Sequence, residues 1–236
     1  MVTAATTVTI MPSPSRPAEP AKPRPPKALE LATVDEDDLR DEGTFTGLGF
    51  YDLELTGRSA KGAEFRQCRF NRTDLSGTAF VKVSLTDCLV ERSNFANLHG
   101  DQSTLLRVAF RDSRLTCLQW LDGVLRDVTL RDCRIDLSAF RATKFAAVAF
   151  EDCNLAGADF TGADLTGATF TRCDLTGAQF SAATMTGTRL DQCDLSGVAG
   201  VTSLAGATVS TADLVTLSHT LAAALGITIA DTPGAA

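Results

Sequence analysis

From Phe45 to Leu195 every fifth residue belongs to one apolar series. Counting in fives gives thirty-one sites, of which twenty-nine are Leu, Phe, Ile, Val, Met or Trp; the exceptions are Ala60 and Gly100. All thirteen Phe and the single Trp fall on this phase. Such a period is neither the roughly 3.6 of a helix nor the 2 of an ordinary strand, so a chain that keeps it must turn at fixed intervals. If each five-residue unit makes one side and four sides make a coil, residues twenty apart stack. The longer period is present: VAFRD at 108–112, VTLRD at 128–132 and VAFED at 148–152 recur at twenty. The pattern predicts an all-β solenoid over residues 41–209, with no insertion breaking phase between 45 and 195.

The position two before each central residue is mostly small, and so reads as inward. There Cys133, Cys153, Cys173 and Cys193 form one column and Cys68 and Cys88 belong to another. With no His beside the column, the cysteines read as small hydrophobes with free thiols rather than as metal ligands or disulfides. Gly100 leaves a gap in the apolar ladder, which Trp120, Leu98 and Leu118 are placed to fill. Cys117 is the one cysteine on an outward site, and Leu106, Leu121 and Leu137 point outward on neighbouring coils.

The units ADFTG at 158–162, ADLTG at 163–167 and CDLTG at 173–177 resemble the A(D/N)LXX motif of pentapeptide-repeat proteins. The resemblance covers about residues 45 to 209. It implies a right-handed quadrilateral β-helix with the central residue and the small residue two before it inside. It also implies a homodimer joined at the C-terminal end.

The flanks differ from the repeat. Seven of eight prolines lie between Pro12 and Pro26, in a stretch that reads as a disordered tail. The acidic run from Asp35 to Glu42 reads as a solvated charge run, with a short helical turn as the alternative. Together these make a tail of residues 1–40. Near Gly200 the phase slips by one, and beyond it the period becomes helical. Ser210 with Asp213 marks a helix start, Leu214, Leu217, Leu221 and Leu225 give one apolar stripe, and Gly226 is a stop. Residues 210–236 are thus a capping helix and tail, the stripe covering the last coil, joining two rods, or both.

No catalytic constellation stands out. His99 and His219 are the only histidines, and no phosphate loop, nucleophile elbow or metalloprotease signature occurs. The sequence therefore reads as a non-enzyme with no cofactor and no metal. A net charge of −7 opposes nonspecific binding to nucleic acid or anionic lipid. No window approaches the roughly 18 apolar residues of a membrane span, and the N-terminus lacks a signal-peptide pattern, so the expected compartment is the cytoplasm.

Charge is the functional clue. Residues 1–144 balance at twenty acids and twenty bases, whereas residues 145–236 carry nine acids against Arg172 and Arg189. Glu151, Asp152, Asp159, Asp164, Asp174, Asp191 and Asp194 project from successive coils as an acidic rod end. The resemblance implies what this means, because quinolone-resistance members of the family look like duplex DNA to DNA gyrase and topoisomerase IV. Two readings stand at this point: a DNA mimic that binds a type II topoisomerase and protects against quinolones or a gyrase toxin, or an interaction scaffold for another protein. The first requires one contiguous acidic face; charges spread over four sides favour the second. Arg131 and Leu137 belong to the second.

Overall fold

The computed structural model describes residues 18–26 and 28–228; the remaining parts of the two tails lie outside them. Successive five-residue units turn in the same way. The residue two after each central position takes a left-handed backbone, with φ near +50 to +70°, at Gly47, Asp52, Gly57, Gly62 and onward along the chain. This conformation costs little for Gly and about 1 kcal/mol or more for other residues. Non-glycine residues nevertheless occupy most of these corners. Stacking therefore dictates the corner, not local preference.

Four corners close one coil, and the coils stack in parallel at a register of twenty. Phe45 lies against Phe65, Phe50 against Phe70, Ala60 against Phe80 and Leu105 against Leu125. The longest ladder has ten rungs, from Glu30–Leu31 to Thr208–Val209. The result is a four-sided parallel solenoid. We name its faces after the central residues that open them: the Phe45, Phe50, Leu55 and Ala60 faces.

The interior is one continuous apolar column. Central residues are buried almost throughout, and Phe45, Phe65, Phe70, Phe150 and Phe170 are among those at 1% exposure or less. Rings stack on rings one coil away, at 4.7 Å for Phe45 with Phe65 and 4.8 Å for Phe150 with Phe170. That distance is the strand spacing of about 4.7 to 4.9 Å, so the backbone ladder sets the aromatic ladder. At Gly100 the ring of Trp120 occupies the space a Cβ would need, and Leu98 and Leu118 are buried beside it. A small apolar cavity of about 20 Å³ remains there.

The second inward position carries its own rule. A hydroxyl or thiol there donates to the carbonyl of the residue twenty-three earlier, as Thr73 does to Phe50 at 2.8 Å, Ser138 to Leu115 at 2.7 Å, Thr143 to Trp120 at 2.6 Å and Cys153 to Leu130 at 3.4 Å, or to that of the residue two earlier, as Ser93 does to Glu91 at 2.9 Å. Small polar groups are thus buried without leaving a hydrogen bond unmade.

Both ends are covered. Ala32 and Leu39 close the first coil, and Val34–Asp37 form a single helical turn beside them. At the other end the register slips, with Leu190 facing Val209. Gly200 takes a left-handed backbone, and a Cβ there would overlap the backbone of Phe180 and Ser181. A helix then runs from Thr211 to Ala224 across the last coil. For residues 18–26 the structure differs from the expected disordered tail, because this stretch lies along the rod with backbone hydrogen bonds to Asp127 and Asp87.

Candidate functional site

A rod with a filled interior offers its outward side chains and its ends. The seven acids of the C-terminal coils do not gather on one face. Asp164 stands on the Phe45 face, Glu151, Asp152 and Asp191 on the Phe50 face, Asp174 and Asp194 on the Leu55 face, and Asp159 on the Ala60 face. Three of them are neutralised by arginines. Arg131 pairs with Glu151, Arg172 holds Asp152 at 2.6 Å, and Arg141 holds Asp159 at 2.6 Å. The Arg172 guanidinium keeps the Asp152 carboxyl below its usual range. The remaining four meet no cation among the described residues. Asp174 accepts the Thr176 N–H at 2.9 Å and Asp194 the Ser196 N–H at 2.9 Å, contacts that fix each carboxylate on its own unit.

The expectation of a single acidic rod end thus becomes a different pattern. On the Leu55 face the column before the central residue reads Glu54, Asp74, Asn94, Arg114, Arg134, Asn154, Asp174 and Asp194, each bridged to the next through the backbone. Acids stand at both ends, two arginines in the middle, and an asparagine separates each pair. Rungs about 4.8 Å apart make this a linear ladder of charge on a rigid frame. Arg114 and Arg134 pair with no carboxylate among the described residues. Leu137, at 64% exposure, stands on the corner of this face above Cys117, and its side chain drapes over Gly157. Leu106 and Leu121 are only half-exposed and lie on other faces, so the three leucines make no patch.

The helix expected to use one leucine stripe is rotated from it. Leu217 is buried and Leu221 packs against the core, whereas Leu214 and Leu225 are 50% and 74% exposed. The cause is Asp213. Its Oδ2 accepts the Cys193 N–H at 2.9 Å, and its own N–H donates to the Ser210 hydroxyl. In earlier coils the equivalent N–H finds a hydroxyl twenty residues on, as Thr73 finds Ser93 and Leu118 finds Ser138. Asp213 stands twenty residues after Cys193 and takes the place of that hydroxyl. The buried face is therefore Asp213, Leu217 and Leu221, and Leu214, Val215, Leu225 and Ile227 remain outside.

All seven cysteines are free thiols, six of them buried. The thiol of Cys133, together with burial, pushes Cys153 up to about 12, and Cys173 sits likewise against Cys153 at about 12. These are poor nucleophiles, since the thiolate is the reactive form. His99 and His219 are both exposed, one on the Ala60 face and one in the C-terminal helix. Among the described residues no group of His, Cys, Asp and Glu is arranged to hold a metal ion, and no helix is long and apolar enough to cross a membrane.

Comparison with known proteins gives the following. The pentapeptide repeat region matches residues 63–140 and 124–180, which together span half of the chain. No curated protein matches. Among solved structures, HetL of the cyanobacterium Nostoc, a pentapeptide repeat protein involved in heterocyst differentiation regulation, is 15% identical. The match covers 74% of this chain and 88% of that one, with a TM-score of 0.32. A trypsin-treated form of QnrB1, a plasmid-mediated fluoroquinolone resistance protein, is 21% identical over 86% of this chain and 98% of that one, with a TM-score of 0.32. Rfr23 of the cyanobacterium Cyanothece is 13% identical over 75% and 95%, with a TM-score of 0.17. The period of five, the four-sided coils and the family match converge, and the chain belongs to the pentapeptide-repeat family.

Proposed function

We propose that this protein acts without catalysis, as a rigid rod that binds a protein partner along its Leu55 face. The observation that carries this reading is the charge ladder, in which unpaired Arg114 and Arg134 lie between acidic pairs, with exposed Leu137 at the corner. Fixed charges of both signs, held by backbone ladders, favour one partner and one register over others. The test is capture of bound proteins from a homologous extract by wild type and by the Arg114→Glu, Arg134→Glu variant. A partner held by the wild type and lost from the variant supports the reading. Identical sets, or none with either protein, would overturn it.

A second reading keeps the acidic coils as the contact. Asp164, Asp174, Asp191 and Asp194 meet no cation among the described residues, and Asp174 and Asp194 stack one coil apart. In this reading the coils stand in for the phosphates of a duplex, and the partner is DNA gyrase or topoisomerase IV, with protection against quinolones or a gyrase toxin as the outcome. Exposed Leu214 and Leu225 then join two copies end to end, which doubles the acidic length. Supercoiling by DNA gyrase, titrated with the protein with and without a quinolone, tests it. Inhibition or drug protection that disappears in Asp174→Lys, Asp194→Lys supports the mimic; no effect of the wild type at high concentration removes it. Both readings place the protein in the cytoplasm.

A further inference from the structure

The Pro-rich segment carries a period that the rod can read. Pro14, Pro17, Pro20, Pro23 and Pro26 stand three residues apart. A polyproline II helix has three residues per turn, so prolines at this spacing form one edge of it. Within residues 18–26 that edge faces the rod: Pro20, Pro23 and Pro26 are half-buried, while Ala18, Glu19, Ala21, Lys22, Arg24 and Pro25 are exposed.

The hydrogen bonds follow the same spacing. The Ala21 N–H donates to Asp127 Oδ1 at 2.9 Å, and the Arg24 N–H, three residues on, donates to Asp87 Oδ1 at 3.1 Å. The Gln67 side-chain amide donates to the Arg24 carbonyl at 3.1 Å. Asp87 and Asp127 occupy one corner column, two coils apart. Three residues of polyproline II rise about 9.3 Å, and two coils rise about 9.6 Å. The two repeats are therefore commensurate. Because this helix makes no internal hydrogen bonds, its N–H groups are available to the rod. Between the two aspartates stands Arg107, which pairs with Asp87 at 2.6 Å, and Arg24 brings a second cation to the same carboxylate. The segment forms one wall of a groove of about 790 Å³ whose rod side carries Ala109, Thr129 and Ala149 together with charged side chains of both signs, Glu91, Arg111 and Arg131 among them.

We propose that the corner between the Phe45 and Phe50 faces is a receptor for a basic peptide with proline at every third residue, and that the chain's own N-terminal segment is its resident occupant. The strap holds that corner closed, and a partner must offer the same chemistry to replace it. This corner lies away from the Leu55 charge ladder, and the proposal stands whichever partner that ladder meets.

Amide exchange by NMR on the full-length protein tests the resident state. Ala21 and Arg24 should exchange at least about tenfold more slowly than Lys22, which lies between them, and Asp127→Ala should release Ala21. Binding in trans tests the receptor. A labelled peptide of residues 14–27 should bind full-length protein carrying Pro20→Ser, Pro23→Ser and Pro26→Ser at least tenfold more tightly than wild type. A peptide of the same composition with its prolines out of the three-residue spacing should not bind. Free exchange at Ala21 and Arg24, or equal binding of the two peptides, would overturn the proposal. Protection that grows with protein concentration would also overturn it, by assigning the strap to a second copy.

Discussion

Two residues show how the rod is finished and where it is strained. Asp213 completes the last coil by accepting the Cys193 N–H, as a serine does in earlier coils. Asp213→Ala should leave that buried donor unsatisfied and cost about 1–3 kcal/mol, read as a lower midpoint in urea. Leu137 carries φ +56° at an exposed corner, where Gly occupies the next three coils at 157, 177 and 197. Leu137→Gly should raise stability by about 1 kcal/mol in the same experiment, because the left-handed strain disappears with the Cβ. The same change should weaken capture of a partner that uses the Leu55 face. Neither role stands out in the sequence alone: Asp213 resembles any capping residue until its distance of twenty from Cys193 is noticed.

Among the elements, the coil around Gly100 is held by exchange of volume between neighbours. Trp120 fills the gap, and Trp120→Ala should cost about 3–5 kcal/mol by enlarging the existing cavity. The pair Gly100→Leu, Trp120→Leu should be more stable than Trp120→Leu alone, since the ladder regains its missing rung; a double-mutant cycle measures the coupling. This coil was legible from the period, because a missing central residue must be compensated nearby. The C-terminal helix was legible in extent and in its Ser210 cap, but not in its rotation. One buried hydrogen bond from Asp213 turns Leu214 and Leu225 outward, and a stripe of four leucines carries no record of that bond. The charge of the C-terminal coils was legible only as a sum. Residues 151, 159, 164 and 174 differ in their position within the twenty-residue coil, which sends them to four faces, Glu151 and Asp159 beside arginines and Asp164 and Asp174 beside none among the described residues. The inward cysteines, by contrast, follow directly from the repeat. In native protein only Cys117 should react promptly with a disulfide reagent, and the other six thiols should appear on denaturation.

For the whole molecule, stability should depend on acid in a definite direction. Asp87, Asp152 and Asp194 have carboxyls held below their usual range, Asp87 chiefly by Arg107, Asp152 by Arg172 and Asp194 by Ser196. A depressed folded-state value means stability that is present above the unfolded value of about 3.9 and lost as pH falls through the lower folded values. The urea midpoint should hold through neutral pH and fall below about pH 4. The commensurate repeats of strap and rod have a consequence for length. Because no insertion breaks phase, twenty residues can be removed anywhere in the regular region and the coils will close up, leaving a shorter rod of the same cross-section. Removal of 155–174 should leave the strap docked. Removal of 95–114, which lies between Asp87 and Asp127, brings the two carboxylates to about 4.8 Å apart, where no polyproline segment can meet both. The strap works as a gauge cut to the rod, and it should come loose when the graduations beneath it change.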